Sequence, residues 1–231
     1  INASVDLGHK ITIQNVLVKS YDGDTLIMLT SLVNLLILLP YVFLFSISGY
    51  LNDKFSRTKI TRICAILGVV LTFFITIAYA AGWFYFAFFM TILLAAQSAV
   101  YSPAKYGLIK KIVGANNLGA ANGLVQALTI IAILLSSLLF SVIFESCATN
   151  SADAGELMSS VWFIGVILCL SSCAESYFAF KIPYFAAANE NSEFDPKEYV
   201  KLRYLRQNLN FVVKDKNVLL CTLGLAMFWA V

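Results

Sequence analysis

The sequence predicts an all-α protein whose helices cross a lipid bilayer several times, and three observations support this prediction. Apolar residues make up 60% of the 231 residues, and charged residues only 13%, which is about half of their usual share in soluble domains. Most apolar residues fall in runs of about 20, the length of a helix that spans the hydrocarbon core. Lysine and arginine are concentrated in a few segments between these runs. We therefore expect a polytopic transmembrane helix bundle.

The apolar runs predict six spans and the beginning of a seventh. They cover residues 1–18, 25–50, 61–81, 83–108, 118–144 and 158–182, and a further run begins near residue 217. The first run is the least apolar because it carries several polar side chains. Since the chain begins with isoleucine and ends within an apolar run, we expect it to be a fragment of a longer protein.

Residues 183–216 form the longest polar segment, and we predict that this linker contains an amphipathic helix on the cytoplasmic face. Its apolar residues recur at helical spacing: Tyr199, Leu202, Leu205, Leu209, Val212 and Val213. A linker helix that stays in water is the alternative. The chain thus divides into a six-helix bundle over residues 1–182, the linker, and the start of a truncated seventh helix over residues 217–231.

The charges predict the orientation of the bundle. Three alternate segments, 53–62, 109–117 and 181–216, hold 13 of the 16 lysine and arginine residues. The segments at the opposite ends of the runs carry Lys19 and five acids: Asp22, Asp24, Glu145, Asp153 and Glu156. Because basic loops stay in the cytoplasm, the three basic segments are predicted to be cytoplasmic.

Polar side chains share one face of the first run. Asn2, Asp6, His9 and Lys10 fall within an arc of about 100° on a helix. Asp6 and Lys10 are one turn apart and can pair. Ionisable groups inside a span are costly unless they face a polar interior, so we predict that this face lines a central cavity. The alternative places the first run at the membrane surface. His9 is either a proton switch or a polar group satisfied by its neighbours.

The fourth run carries a second polar stripe, in which Gln97, Tyr101 and Lys105 follow one another at intervals of four residues. Lys105 either reaches towards the lipid headgroups or faces the cavity and binds an anionic group. Glu175 is a single acid within the sixth run, and Lys105 is one possible partner for it.

The fifth run contributes Asn122 and Gln126 on one face. Packing between helices is the default role of these side chains, and a place in the cavity is the other. Gly119 and Gly123 are spaced as a pair of small residues that allows two helices to pack closely.

The segment between the second and third runs holds the clearest motif, GYLNDKFSRTK at residues 49–59. It resembles the G-x-L-x-D-R-x-G-R-R/K signature of the major facilitator superfamily, although Lys54 replaces an arginine and Ser56 replaces a glycine. The resemblance implies the N-terminal six-helix half of a 12-helix fold and the start of helix 7. It also implies a conformational latch made by Gly49, Asp53, Arg57 and Lys59, in which the glycine allows close helix approach. A basic loop without a further role is the alternative.

Three further segments resemble the lysophospholipid transporter family: YSPAKYG at 101–107, residues 117–135, and DLGHK at 6–10 followed by Gln14 and Asn15. The last resembles the form that is fused to acyltransferase and acyl-carrier-protein synthetase modules. The resemblance implies transport of lysophosphatidylethanolamine-like lipids across the bacterial inner membrane by alternating access. Asp6 and Lys105 would then contact the headgroup or gate the path. Gln126 departs from the family, where an acid is common.

Nothing in the sequence predicts a cofactor, a metal site, an enzymatic activity or nucleic-acid binding. There is no phosphate-binding glycine loop and no nucleophile motif, and the five cysteines lack the spacing of metal ligands. The expected partners are a lysophospholipid substrate, membrane lipids, a C-terminal half of the same chain and a possible fused acyltransferase. Two other functions fit the sequence: an ion-coupled transporter of a small polar or drug-like solute, and a membrane anchor for an acyltransferase.

Overall fold

The computed structural model describes residues 1–149, 151–187, 199 and 203–230, and it contains helices and no strand in this part of the chain. The helices are α1 (Asn2–Ser20), α2 (Gly23–Lys54), α3 (Arg57–Ala80), α4 (Phe84–Val113), α5 (Leu118–Cys147), α6 (Ala154–Ser160), α7 (Trp162–Lys181), α8 (Arg203–Lys214) and α9 (Lys216–Ala230). Five of them, α2, α3, α4, α5 and α7, are long and apolar enough to cross a membrane. The predicted fold class is confirmed, and the chain is a multi-pass membrane protein.

Helix α1 is not among these five, yet it lies among them in the bundle. It packs along α5 and also contacts α2, α4, α6 and α7. Its apolar face is closed off by these neighbours, because Ile13, Val16 and Leu17 are fully buried. The least apolar of the predicted spans is therefore a central helix of the bundle. One of its faces lies in the hydrophobic core, and its polar face is free to line an internal space.

The sixth predicted span is interrupted near its start. Helix α6 ends at Ser160, and the long helix α7 begins only at Trp162. Asp153 caps α6 by accepting a hydrogen bond from the backbone N–H of Glu156 at 2.9 Å. The turn between α3 and α4 packs against this short helix through Gly82, where a Cβ atom would lie 2.8 Å from the carbonyl oxygen of Gly155.

A proline inside α4 shapes its contact with α2. Pro103 has no N–H, so the carbonyl of Ala99, one turn earlier, loses its helical partner. The hydroxyl of Ser48 on α2 donates to this carbonyl at 2.9 Å, and Asn52 donates to the carbonyl of Val100 at 3.4 Å. Buried carbonyl groups in a membrane must be satisfied within the protein, and side chains of a neighbouring helix can do this.

Glycine allows two helices to pack closely at a position that we did not predict. A Cβ atom on Gly165 of α7 would lie 2.8 Å from the Cα atom of Thr76, so α3 and α7 are in close contact there. At Gly49, Gly119 and Gly123 the same construction finds no described atom within 4 Å. The expectation of close helix approach at these three glycines is therefore wrong for the described part of the chain. Gly119 and Gly123 have the spacing that allows close packing, but no helix that the structure describes packs closely against them.

The segment after α7 is held against the ends of α3 and α4. Arg62 donates to the carbonyl of Ile182 at 2.8 Å, and Lys111 donates to that of Ala186 at 2.6 Å. The hydroxyl of Ser56 donates to the carbonyl of Phe185 at 2.6 Å. Residues 182–187 thus form a strap, as we call it below, across the end of the bundle where the lysine and arginine residues are concentrated.

Beyond the strap, the structure describes Tyr199 and then α8 and α9. Helix α8 is amphipathic, with Arg203, Arg206 and Lys214 on its polar face. Helix α9 begins at Lys216, close to the predicted start of the seventh run. The rest of the predicted linker, including Leu202, and the last residue of the predicted seventh helix lie outside the described residues.

Candidate substrate cavity

A cavity of about 1180 Å³ opens between α1, α2, α4 and α5. Its polar lining consists of Asn2, Asp6, His9, Lys10, Tyr41, Thr91, Ser102, Lys105, Tyr106, Asn122, Gln126 and Thr129. Its apolar lining includes Leu7, Ile37, Leu38, Leu94 and Ile133. The cavity is large enough to enclose most of a drug-sized molecule.

The structure brings seven of the nine predicted cavity residues together around this space. They are Asn2, Asp6, His9, Lys10, Lys105, Asn122 and Gln126. Gln97 and Tyr101 lie outside it. Gln97 donates to the carbonyl of Cys64 on α3 at 2.9 Å, and Tyr101 packs with Ile60 and Cys64. Four residues on a helix advance by about 40° beyond a full turn, so a stripe at this spacing rotates away from one face and only Lys105 reaches the cavity.

Asp6 is held by its neighbours on α1 and α4. The hydroxyl of Ser98 donates to Asp6 Oδ2 at 2.6 Å, and Asn2 donates to Ser98 Oγ at 3.3 Å. The other carboxylate oxygen, Oδ1, is buried without a hydrogen-bond partner among the described residues. The predicted pairing with Lys10 is wrong, because the ion pairs that the structure describes are Lys19–Glu145 and Arg57–Asp53. The serine fixes the carboxylate on the α4 side.

Two of the residues that line the cavity are lysines. Neither Lys10 nor Lys105 forms an ion pair with a residue that the structure describes. The ammonium of Lys105 lies 4.9 Å from the centre of the Tyr106 ring, and the hydroxyl of Tyr106 donates to Gln126 Oε1 at 3.3 Å. Because Lys105 lines the cavity, it is available to an anionic group of a ligand.

His9 is a satisfied polar group in this structure. Its Nδ1 atom lies 2.8 Å from the hydroxyl of Tyr79, and its Nε2 atom lies 3.2 Å from the hydroxyl of Thr91. Its ring stacks on that of Tyr79, and only 1% of its surface is exposed. Both ring nitrogens are therefore in use, and the contacts support a structural role for His9 rather than a proton switch.

The polar and apolar parts of the cavity lie at different depths. On α4, Leu94 lies near the middle of the helix and Lys105 lies 11 positions closer to its basic end. At 1.5 Å per residue, this separation is about 16 Å along the helix. On α5, Asn122 lies near the basic end and Ile133 near the middle. Along α4 and α5 the cavity lining thus changes from polar at the basic end to apolar near the middle, although the charged Lys10 lies at the middle of α1.

The predicted latch residues surround a close contact between α3 and α4. Arg57 donates from Nη1 to the carbonyl of Gly107 at 3.1 Å, and its Nη2 atom lies 3.8 Å from Asp53. A Cβ atom on Gly107 would lie 2.6 Å from the guanidinium group, so a larger residue at this position would require the Arg57 side chain to move. Lys59 is exposed, and its backbone N–H contributes to the cap that Ser56 provides for α3. Gly49 takes no part in the contact.

Several lining residues were not in the predicted set. Tyr41 on α2 and Tyr106 on α4 line the cavity, as do Ser102 and Thr129. The two serines beside Gln97 and Tyr101 were a usable signal, since Ser98 binds Asp6 and Ser102 lies in the wall. Nothing in the local sequence distinguishes Tyr41 from an aromatic residue that faces lipid. Among the described residues, no group of three or more histidine, cysteine or acidic side chains could hold a metal ion.

Comparisons with known proteins agree with this architecture. A sequence profile of the Major Facilitator Superfamily matches residues 12–231. Two relatives are the lysophospholipid transporters LplT of Yersinia pestis (strain Pestoides F) and Yersinia pseudotuberculosis serotype O:3 (strain YPIII). Each is 24% identical over 189 residues, which cover 82% of this chain and 41% of the relative.

The chain thus spans about two-fifths of the length of the curated relatives it matches. No solved structure matches it. The family profile covers nearly the whole chain, and the helical bundle with its central cavity agrees with that match. The chain belongs to the major facilitator superfamily.

Proposed function

We propose that the protein transports a lysophospholipid across the bacterial inner membrane, by alternating access of the cavity between α1, α2, α4 and α5. Membership of the superfamily points to a transport role rather than an enzymatic one. The observation that supports a lipid substrate best is the cavity of about 1180 Å³, whose lining combines the charged side chains of Asp6, Lys10 and Lys105 with an apolar wall near the middle of the bundle. The names of the two LplT relatives agree with this substrate.

The charged end of the cavity suits a phospholipid headgroup. Lys105 offers an ammonium group to a phosphate, and Asp6 offers a carboxylate to the amine of an ethanolamine headgroup. Leu94, Ile133 and their neighbours offer an apolar surface to the single acyl chain. The anchoring bond from Ser98 keeps Asp6 in place, so that the headgroup finds its acid already oriented.

A transport assay with the full-length protein in liposomes tests this proposal. We expect uptake of lysophosphatidylethanolamine and no uptake of sugars or cationic drugs. Lys105→Met and Asp6→Asn remove charge from the cavity and should lower uptake by about tenfold or more, since hydrogen bonds to charged groups contribute about 1.5–3 kcal/mol.

Two matched controls lie at exposed positions outside the cavity. Lys110→Met and Asp24→Asn make the same chemical changes there and should leave uptake within about twofold of the wild type, because exposed charges contribute little. Absence of lysolipid uptake by the wild type would refute the proposed substrate. Equal losses in the cavity variants and their controls would refute the assigned site.

A further inference from the structure

A second pocket, of about 610 Å³, lies at the end of the bundle opposite the strap. It is formed by Ser20 and Tyr21 at the end of α1, by residues 82–86 where the chain passes from α3 into α4, and by residues 152–155 at the start of α6. Helix α3 runs from the strap, which Arg62 contacts, to this turn. None of the described residues that line the pocket also lines the candidate substrate cavity, so the two sites are separate.

Five of the residues that line this pocket are aromatic: Tyr21, Trp83, Phe84, Tyr85 and Phe86. The ring centroid of Phe84 lies 6.4 Å from that of Tyr21 and 5.6 Å from that of Tyr85. The rings of Trp83 and Phe86 meet edge to face at 6.3 Å. The electron-rich face of an aromatic ring attracts a cation that comes within about 6 Å of its centre. A wall of this composition therefore favours a cationic ligand, such as an organic ammonium group.

Two further side chains add polar groups to the wall. Asp153 accepts a hydrogen bond from the backbone N–H of Glu156, and it forms no ion pair with a residue that the structure describes. The hydroxyl oxygen of Ser20 is buried and has no hydrogen-bond partner among the described residues. The carboxylate can attract an ammonium group, and the hydroxyl can accept one of its N–H groups. Because Gly82 and Gly155 hold the turn and α6 in contact, these groups are in place before a ligand arrives.

The surroundings of the pocket are acidic. Residues 19–24, 80–86 and 145–160 carry five acids and a single base, Lys19. This lysine is already paired with Glu145 at 2.8 Å. The pairing leaves four acids without a base in these segments, so the electrostatic field at the pocket attracts a cation and repels a free anion.

The position of the pocket favours a lipid as the source of the cation. Helix α1 ends at Ser20 and α3 ends at Ala80, so the pocket lies where the spans leave the hydrocarbon core. Trp83 and Tyr85 are exposed there, and tryptophan and tyrosine are enriched at the level of the lipid headgroups. Anchoring to the headgroups accounts for these two exposed rings, but not for the carboxylate and the buried hydroxyl in the same pocket.

We propose that this pocket binds the ammonium group of a phospholipid headgroup in the leaflet opposite the strap. The ammonium group lies among the aromatic rings beside Asp153 and Ser20, and the acyl chains stay in the bilayer. A bound lipid contacts the end of α1, the turn after α3 and the start of α6 together, so it stabilises the folded bundle. This inference does not depend on the transported substrate, because the pocket is separate from the cavity.

Thermal unfolding of the full-length protein in a neutral detergent tests the pocket. A short-chain phosphatidylethanolamine is titrated into the sample, and phosphatidylglycerol with the same chains is the matched lipid without an ammonium group. We expect phosphatidylethanolamine to raise the unfolding temperature by about 3–6 °C at about ten times its Kd, and phosphatidylglycerol to raise it by less than about 1 °C. An equal rise with both lipids would overturn the proposal.

Two pocket variants locate the site. Asp153→Asn removes the charge but keeps a residue type that caps helices well, and Trp83→Leu removes an aromatic face. Each should raise the Kd for phosphatidylethanolamine about two- to fivefold, and the two together about tenfold. The matched controls, Asp24→Asn and Trp162→Leu, change exposed residues outside the pocket and should leave the Kd unchanged at physiological salt. Equal effects in the pocket variants and their controls would overturn the assigned site.

Two other results would each identify a different binding mode. Glycerophosphoethanolamine has the same headgroup without acyl chains; if it raises the unfolding temperature as much as the lipid does at equal concentration, the ligand is a soluble amine and the lipid assignment is overturned. If Lys105→Met abolishes the rise and Asp153→Asn leaves it intact, the lipid binds in the substrate cavity. That result would overturn the second pocket while agreeing with the proposed function.

Discussion

At Gly8, α1 packs closely against α5 and α7, and replacing this glycine by alanine tests the packing that positions the site. A Cβ atom at Gly8 would lie 2.5 Å from Phe140 Cε2 and 2.8 Å from Leu168 Cδ2. Carbon atoms in ordinary contact are about 3.5–4.0 Å apart, so α1 or its neighbours must move by about 1 Å. Phe140 and Leu168 are 4% and 0% exposed, which leaves them little room to move.

Two opposing terms set the expected magnitude. Overpacking a well-packed core costs about 1–3 kcal/mol. Alanine is favoured over glycine in a helix by about 0.8–1.0 kcal/mol, which offsets part of that cost. Gly119→Ala is the matched control, because it gains the same helix preference on α5 but has no described atom within 4 Å of the new Cβ. The difference between the two variants therefore measures overpacking alone.

Thermal unfolding of the full-length protein in detergent gives the comparison. Gly8→Ala should unfold about 2–12 °C below Gly119→Ala, if 1 kcal/mol corresponds to about 2–4 °C for a chain of this size. The double variant Gly8→Ala/Phe140→Leu removes ring atoms from the clash and should recover part of the loss. If Gly8→Ala unfolds at or above the temperature of Gly119→Ala, the close contact of α1 with α5 and α7 is not as described.

Two other variants test single hydrogen bonds. Ser98→Ala removes the hydroxyl group that donates to Asp6 Oδ2. Because a hydrogen bond to a charged group contributes about 1.5–3 kcal/mol, kcat/KM for lysolipid uptake should fall by about tenfold or more. An unchanged kcat/KM would show that Ser98 is not part of the site. Ser56→Gly restores the glycine of the family signature but removes the hydroxyl group that donates to the carbonyl of Phe185. Loss of this hydrogen bond should destabilise the bound strap by about 1 kcal/mol and accelerate amide hydrogen exchange at Phe185 about five- to tenfold. Unchanged exchange would show that other contacts hold the strap.

Hydropathy and helical periodicity were sufficient for the long helices and for the polar face of α1, because both depend on local spacing, but they did not predict the break between α6 and α7. Asn2, Asp6, His9 and Lys10 could be assigned to one cavity-facing surface from that spacing alone. The same reasoning failed on α4. The direction in which a stripe points there depends on how α4 is rotated against α2 and α3.

Contacts between distant segments could not be predicted for a similar reason. Ser48 binds a carbonyl that Pro103 leaves free, and this requires knowing that α2 and α4 are neighbours. The pair Asp6 and Lys10 has the spacing of an ion pair, but Ser98 on another helix holds the acid instead. Spacing predicts which partners a residue could have on its own helix, but a residue on another helix can take their place.

The strap gives a physical reason for a departure from the family signature. A glycine at position 56 has no hydroxyl group to accept from the N–H of Lys59 or to donate to the carbonyl of Phe185, whereas Ser56 does both. Thr58 extends the contact by donating to the carbonyl of Pro183 and accepting from the N–H of Phe185. The loop that carries the latch residues is thereby fixed to the segment that leaves the bundle after α7. A movement of that segment would therefore act on the loop beside Arg57 through the hydroxyl groups of Ser56 and Thr58.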